Sequence, residues 1–160
     1  MPALCRNNIV QRDRRYPILD IDTLTSEAFA ISMVHILLID DDPDYRDWVA
    51  SILRSRGHEV VATSSLSSVE ALSCQAKLRT AFDVAIVDMI MPEMDGIETI
   101  RALKALCPST RIIAMSGGGQ HGDAQLYLRI AEQFGAIAAL TKPFMASDLG
   151  SAIARALRST

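Results

Sequence analysis

The sequence predicts an α/β protein: a doubly wound, five-stranded parallel sheet flanked by five helices. Three observations carry that expectation. Short apolar runs of strand length, at 35–39, 59–62, 84–87, 111–115 and 137–141, alternate strictly with longer stretches of helical periodicity. Strands that alternate with helices need crossover connections, which make the sheet parallel and cover both its faces. Four of the five runs lead directly into Asp40, Asp88, Ser116 or Lys142, at the edge where open α/β sheets hold their ligands.

The first run, 35–39, is continuously apolar-rich, as suits a central strand buried on both faces, and it ends in Asp40-Asp41-Asp42. Asp42 is placed to cap a helix with Pro43 at its first position. Tyr45, Trp48, Val49, Ile52 and Leu53 give that helix one apolar face before Gly57 stops it. A short strand at 59–62 follows, and Ser67-Ser68-Val69-Glu70 has the form of a capping box that opens a second helix reaching about Arg79. The run 84–87 then delivers Asp88. Pro92 and Asp95-Gly96 break the pattern, and Ile97, Ile100, Leu103 and Leu106 resume it at helical spacing as far as Pro108. The fourth strand, 111–115, leads to Ser116 and a loop that opens with Gly117-Gly118-Gly119. Leu126, Ile130 and Phe134 mark a fourth helix closed by Gly135. The fifth strand, 137–141, runs into Lys142-Pro143, and a final helix over 146–157 carries Leu149, Ile153 and Leu157 inward.

The 160 residues have room for one such domain, assigned to 33–160. Residues 1–32 differ in kind: Arg6, Arg12, Arg14 and Arg15 balance Asp13, Asp20, Asp22 and Glu27, apolar periodicity is weak, and Met33 stands directly before the first clear strand. They are expected to form a weakly ordered N-terminal extension. A net charge of -3 offers no global attraction for nucleic acid or an acidic membrane. The longest nearly apolar run, 28–39, is too short to span a bilayer, and the N-terminus lacks a basic-then-apolar leader pattern. The expectation is a cytoplasmic protein without membrane insertion. Cys5, Cys74 and Cys107 show no metal-ligand pairing and receive no chemistry.

In a parallel sheet all strand C-termini share one edge, so Asp40, Asp41, Asp88, Ser116 and Lys142 converge although far apart in sequence. Crowded carboxylates cannot all stay ionised without a partner, and a set of acid oxygens suits a hard cation such as Mg²⁺. Lys142 and Ser116 add a mobile cation and a hydroxyl, both suited to oxygens of a transferred phosphoryl group, with Asp88 as the nucleophile that carries it. Each residue has a plainer reading: an acidic triplet after a strand is often only a helix cap, and a lysine before proline is often a solvated loop residue. Their joint placement at the ends of strands one, three, four and five is what favours chemistry.

The chain resembles the receiver domains of bacterial response regulators. The matching residues are Ile36-Leu37-Leu38-Ile39-Asp40-Asp41-Asp42-Pro43, then Asp88-Met89-Ile90-Met91-Pro92-Glu93-Met94-Asp95-Gly96, then Ser116, then Thr141-Lys142-Pro143-Phe144. The resemblance implies the flavodoxin-like receiver fold, with Asp88 as phosphoacceptor, Asp41 as a direct metal ligand, Asp40 as a ligand acting largely through water, and the Ile90 main-chain carbonyl completing the Mg²⁺ site. It further implies that Ser116 is the switch hydroxyl, that Lys142 contacts the phosphoryl group, and that Pro143 follows a cis peptide bond. One departure stands out. Family members often carry an aromatic residue three positions before the lysine, which rotates with the switch hydroxyl, and here that position is Ala139.

The resulting expectation is a stand-alone response regulator, a phosphoacceptor rather than an enzyme. It would take its phosphoryl group from a sensor histidine kinase or a histidine phosphotransfer protein, and it would act by contact with a downstream protein or by onward phosphotransfer. The sequence ends soon after the fifth helix, which leaves no expectation of a DNA-binding output domain. Ala139 keeps a second reading open, a receiver-fold binding module that works without phosphorylation. An aspartate-based phosphohydrolase would also use a strand-end carboxylate, but its DxD arrangement is missing because Met89 and Ile90 follow Asp88. Glycines 117–119 do not make a dinucleotide turn, since the first strand lacks spaced glycines. A chain beginning at Met33 is expected to unfold cooperatively in urea and to accept phosphoryl label like the full chain; insolubility or a lost transition would show that 1–32 packs on the core.

Overall fold

The computed structural model describes residues 33–65, 67, 82–92, 95–117 and 124–159. Five strands, β1 (His35–Ile39), β2 (Glu59–Thr63), β3 (Val84–Asp88), β4 (Arg111–Gly117) and β5 (Ala136–Lys142), form one sheet in the order β2-β1-β3-β4-β5. Every neighbouring pair is parallel. Four helices are described: α1 (Pro43–Ser55), α2 (Gly96–Leu106), α3 (Ala124–Gln133) and α4 (Ala146–Arg158). The helix expected over 67–79 lies outside the described residues except for Ser67, and 1–32, Cys74 and the loop 118–123 lie outside them as well.

The strands form where β-branched and other bulky apolar residues run together, and their two-residue alternation divides the core in two. Ile36, Leu38, Val84, Ile86, Ile113, Met115, Ala138 and Leu140 belong to a cluster that α1 and α4 close with Val49, Leu53, Leu149 and Ile153. Leu37, Ile39, Ala85, Val87, Ile112 and Ala114 belong to a second, closed by Ile100 and Leu103 of α2 and Leu128 and Ala131 of α3. Both clusters are covered by helices, as the continuous apolar runs require.

Local chemistry sets the helix limits. The Asp42 carboxylate accepts hydrogen bonds from the amides of Asp44 and Tyr45, so the expected cap of α1 is made, with Pro43 in its first turn. Just beyond its C-terminus, Gly57 takes a φ of +84°, where a side chain would be strained. In α3 the inward face is Ala124, Leu128 and Ala131, while Leu126 and Phe134 are exposed. Leu126, Ile130 and Phe134 repeat at a helical spacing just as the true inner face does, so periodicity locates the helix but not its phase. The sheet takes the small alanines, and Phe134 lies under the Arg101 guanidinium, 4.9 Å from its ring centre.

Gly96 opens α2 against the end of β3. A Cβ there would lie 2.5 Å from Met89 Cα and 2.8 Å from the Asp88 carbonyl oxygen, both backbone atoms that cannot swing aside. Alanine would gain up to about 1 kcal/mol of helix propensity, yet the clash outweighs it. Gly96→Ala is therefore expected to destabilise the protein by about 1–3 kcal/mol in urea unfolding. A neutral or stabilising result would mean that α2 can slide away from the Asp88 loop.

Candidate functional site

Alternation along the strands decides which side chains meet at the C-terminal edge. Asp40 continues the phase of Ile36 and Leu38, Asp88 that of Val84 and Ile86, and Lys142 that of Ala138 and Leu140. All three therefore belong to the α1/α4 side of the sheet. Ser116 continues the phase of Ile112 and Ala114 and belongs to the other side.

The outcome is a bridged pair of acids. Lys142 Nζ donates to Asp40 Oδ2 at 2.7 Å and to Asp88 Oδ2 at 2.6 Å. Asp40 and Asp88 are buried. Asp41 stands beside them closer to solvent, and one carboxylate oxygen from each of the three lies within 4.8 Å of the others. Each buried acid is also held by backbone: the Asp42 amide donates to Asp40 Oδ1 at 3.0 Å, and the Ile90 amide to Asp88 Oδ1 at 3.1 Å. Asp40 is tied further through its own main chain, its amide to the Thr63 carbonyl and its carbonyl to Arg46 Nη1 at 2.7 Å. The Lys142–Pro143 peptide is cis.

Burial governs the electrostatics. It pushes the Asp40 carboxyl from an ordinary 3.8 up to about 6, even though the Lys142 ammonium pulls the other way and Asp88 adds repulsion. Asp41 is also raised, first by burial. For Lys142, burial opposes the charged form, but the Asp88 and Asp40 carboxylates outweigh it and hold the ammonium above its usual range. Three acids share one cation here, an imbalance that oxygen-only ligands offer to a hard divalent ion.

Every sequence-predicted site residue lies at this edge. Asp40, Asp41, Asp88 and Lys142 come together directly. The Ile90 amide faces Asp88, and its side chain is partly exposed. Ser116 sits in β4 one residue past Met115, the partner of Asp88 in register, and it is fully buried. Among the described residues nothing bonds its Oγ, a deficit of about 1–3 kcal/mol for a buried hydroxyl that an incoming oxygen would relieve. Glycines 118–119 lie outside the described residues. Two contributors escaped the sequence reading: Arg46, one turn into α1, and Tyr45, whose ring lies 4.4 Å from Lys142 Nζ. Both sit where a side chain on the first turn of α1 leans back over the preceding Asp40-Asp41 turn, a signal that helix geometry contains.

Comparison with known proteins decides the family. The model of the response regulator receiver domain matches residues 36–154. The chain belongs to that family. This receiver domain is 30% identical over 126 residues to the chemotaxis protein CheY of Listeria monocytogenes, a match that covers 79% of this chain and all of that one. It is 36% identical over 127 residues to the response regulator protein TmoT of Ectopseudomonas mendocina, covering 77% of this chain and 52% of TmoT. A receiver domain crystal structure from Clostridium thermocellum superposes with a TM-score of 0.66 at 34% identity, covering 78% of this chain and 94% of that one. The first curated relatives are longer proteins, of which this chain spans 19% to 52%.

The raised carboxyls give the metal-free receiver a testable pH dependence. Between about 6 and 3.8 the folded chain keeps a proton on Asp40 that the unfolded chain releases. The Asp40 contribution to stability therefore falls as pH rises through that window, by about 1 kcal/mol between pH 5 and pH 7. His58, lowered by burial and by Arg56, works in the opposite sense and is common to both proteins compared. In chelator, the urea stability of Asp40→Asn is thus expected to lack a component that wild type loses on going from pH 5 to pH 7. Equal slopes in the two proteins would overturn the burial argument.

Proposed function

We propose that this receiver domain takes a phosphoryl group from phosphohistidine onto Asp88 and signals through its phosphorylated form. The observation that supports it most is the Lys142 ammonium bridging Asp88 and Asp40 at 2.6 and 2.7 Å beside Asp41. In this reading an Asp88 carboxylate oxygen attacks phosphorus, the phosphorus–nitrogen bond of the donor breaks, and the donor histidine departs with that electron pair. Lys142 moves from carboxylate to phosphoryl oxygen, and the orphaned Ser116 hydroxyl supplies a donor to another. Asp41, Asp88, Asp40 through water and the Ile90 carbonyl would hold Mg²⁺, which neutralises charge on the phosphoryl oxygens.

The donor in this reading is a sensor histidine kinase or a histidine phosphotransfer protein, and the output is a protein contact or onward transfer. Full-length coverage of CheY supports a stand-alone unit. No helix of the described residues is long and apolar enough to cross a membrane. Donor chemistry that starts from ATP then favours a cytoplasmic location. One observation favours the second reading, a binding module independent of phosphorylation: Ala139, partly buried beside Ala114 in β5, has no ring to turn with Ser116.

Incubation with labelled acetyl phosphate separates the readings. Label is expected to require Mg²⁺, to fall at least about 100-fold in Asp88→Asn, and to form about tenfold more slowly in Lys142→Met. Stoichiometric label retained in a folded Asp88→Asn protein would remove Asp88 from the role. Absence of label in wild type, with the fold verified, would favour the binding module.

A further inference from the structure

Among the described residues Lys142 has three close partners, of which two are acids. Its Nζ lies 4.4 Å from the centre of the Tyr45 ring, within the range of a cation–π contact. Tyr45 is buried, and its backbone is fixed by the helix cap, its amide donating to Asp42 Oδ1 at 3.2 Å. The ring is braced on two sides: Phe144 meets it edge-on at 5.7 Å and 88°, and Trp48 lies 5.3 Å away at 48°. Phe144 follows Lys142 by two residues, so the segment that carries the ammonium also carries a ring that steadies its support.

The two acids are shared partners. Asp40 and Asp88 belong to the carboxylate cluster, and a phosphoryl group on Asp88 would take over the oxygen that Lys142 now contacts. The Tyr45 ring takes no part in that exchange. We propose that Tyr45 is a positioning residue for Lys142, its ring the fixed floor on which the ammonium stands while its anionic partners change. Burial strengthens such a contact because water does not compete for the cation. The inference rests on the reading of Lys142 as the residue that meets the phosphoryl group.

The test uses the full chain with acetyl phosphate and Mg²⁺, comparing wild type, Tyr45→Phe, Tyr45→Leu, Lys142→Met and the Tyr45→Leu/Lys142→Met double variant. Tyr45→Phe keeps the ring and is expected to phosphorylate within about twofold of wild type, whereas Tyr45→Leu slows by about five- to tenfold. In the Lys142→Met background, Tyr45→Leu is expected to cost nothing further, since the floor then supports no cation. A packing role would persist in that background, and an undiminished penalty there overturns the proposal. A second readout needs neither metal nor phosphodonor: in the NMR spectrum of the metal-free protein, the Lys142 ε-protons are expected to show an upfield ring-current displacement that Tyr45→Phe keeps and Tyr45→Leu loses. An unchanged Lys142 shift in folded Tyr45→Leu would overturn the contact itself. The two readings fail separately: normal labelling of Lys142→Met removes the role of the lysine, while slow Lys142→Met beside normal Tyr45→Leu removes only that of the tyrosine.

Discussion

The ammonium of Lys142 is the constraint on which the rest of the site depends. Two buried carboxylates at the end of a parallel sheet cannot stand together without a cation, and the fold supplies one from its edge strand, two positions across the sheet from β3. Removing one partner of such a group leaves an uncompensated charge in the interior, a loss far larger than the net worth of the pair. The arrangement is thus less a source of stability than a tension the fold tolerates, visible in the Asp40 carboxyl pushed up to about 6. A second positive charge, supplied from outside, would relieve it.

The sheet makes this geometry without special devices. Parallel register carries Asp40, Asp88 and Lys142 to one edge, and two-residue alternation turns them all toward the side covered by α1 and α4. Helix α1 then contributes twice: its cap fixes the acidic turn, and its first turn places Arg46 on the Asp40 carbonyl and Tyr45 under the ammonium. On the opposite side, Gly96 approaches Met89 so closely that the start of α2 rests directly on the end of β3. Ser116, of opposite phase, stands near the same edge but is fed from the second core, with α2 and α3.

Much of this was legible in the sequence, because strand-length apolar runs, caps and breakers are local signals. All five strands lie where the runs placed them, extended by one or two residues at five of their ends, and the cap at Asp42 is made as expected. The site residues were legible for a different reason: parallel topology alone brings strand ends together, whatever the register. The phase of α3 was not legible, because Leu126, Ile130 and Phe134 also repeat at helical spacing and are bulkier than Ala124, Leu128 and Ala131, and only packing on the sheet selects the latter. The parts played by Tyr45 and Arg46 depend on how α1 leans over its preceding turn. Their types alone read as a core aromatic and a solvated cation.

Asp40 is gripped at its amide by Thr63, at its carbonyl by Arg46 and at one carboxylate oxygen by the Asp42 amide. A side chain so held has lost its rotational freedom during folding, so a ligand arriving there need not freeze it again. That fixity has a second face. The same bonds also settle which way the carboxylate faces: with Oδ1 fastened to the backbone, Oδ2 is the oxygen turned to Lys142. A turn whose residues, read one at a time, announce only negative charge thus presents one oriented oxygen to the cluster.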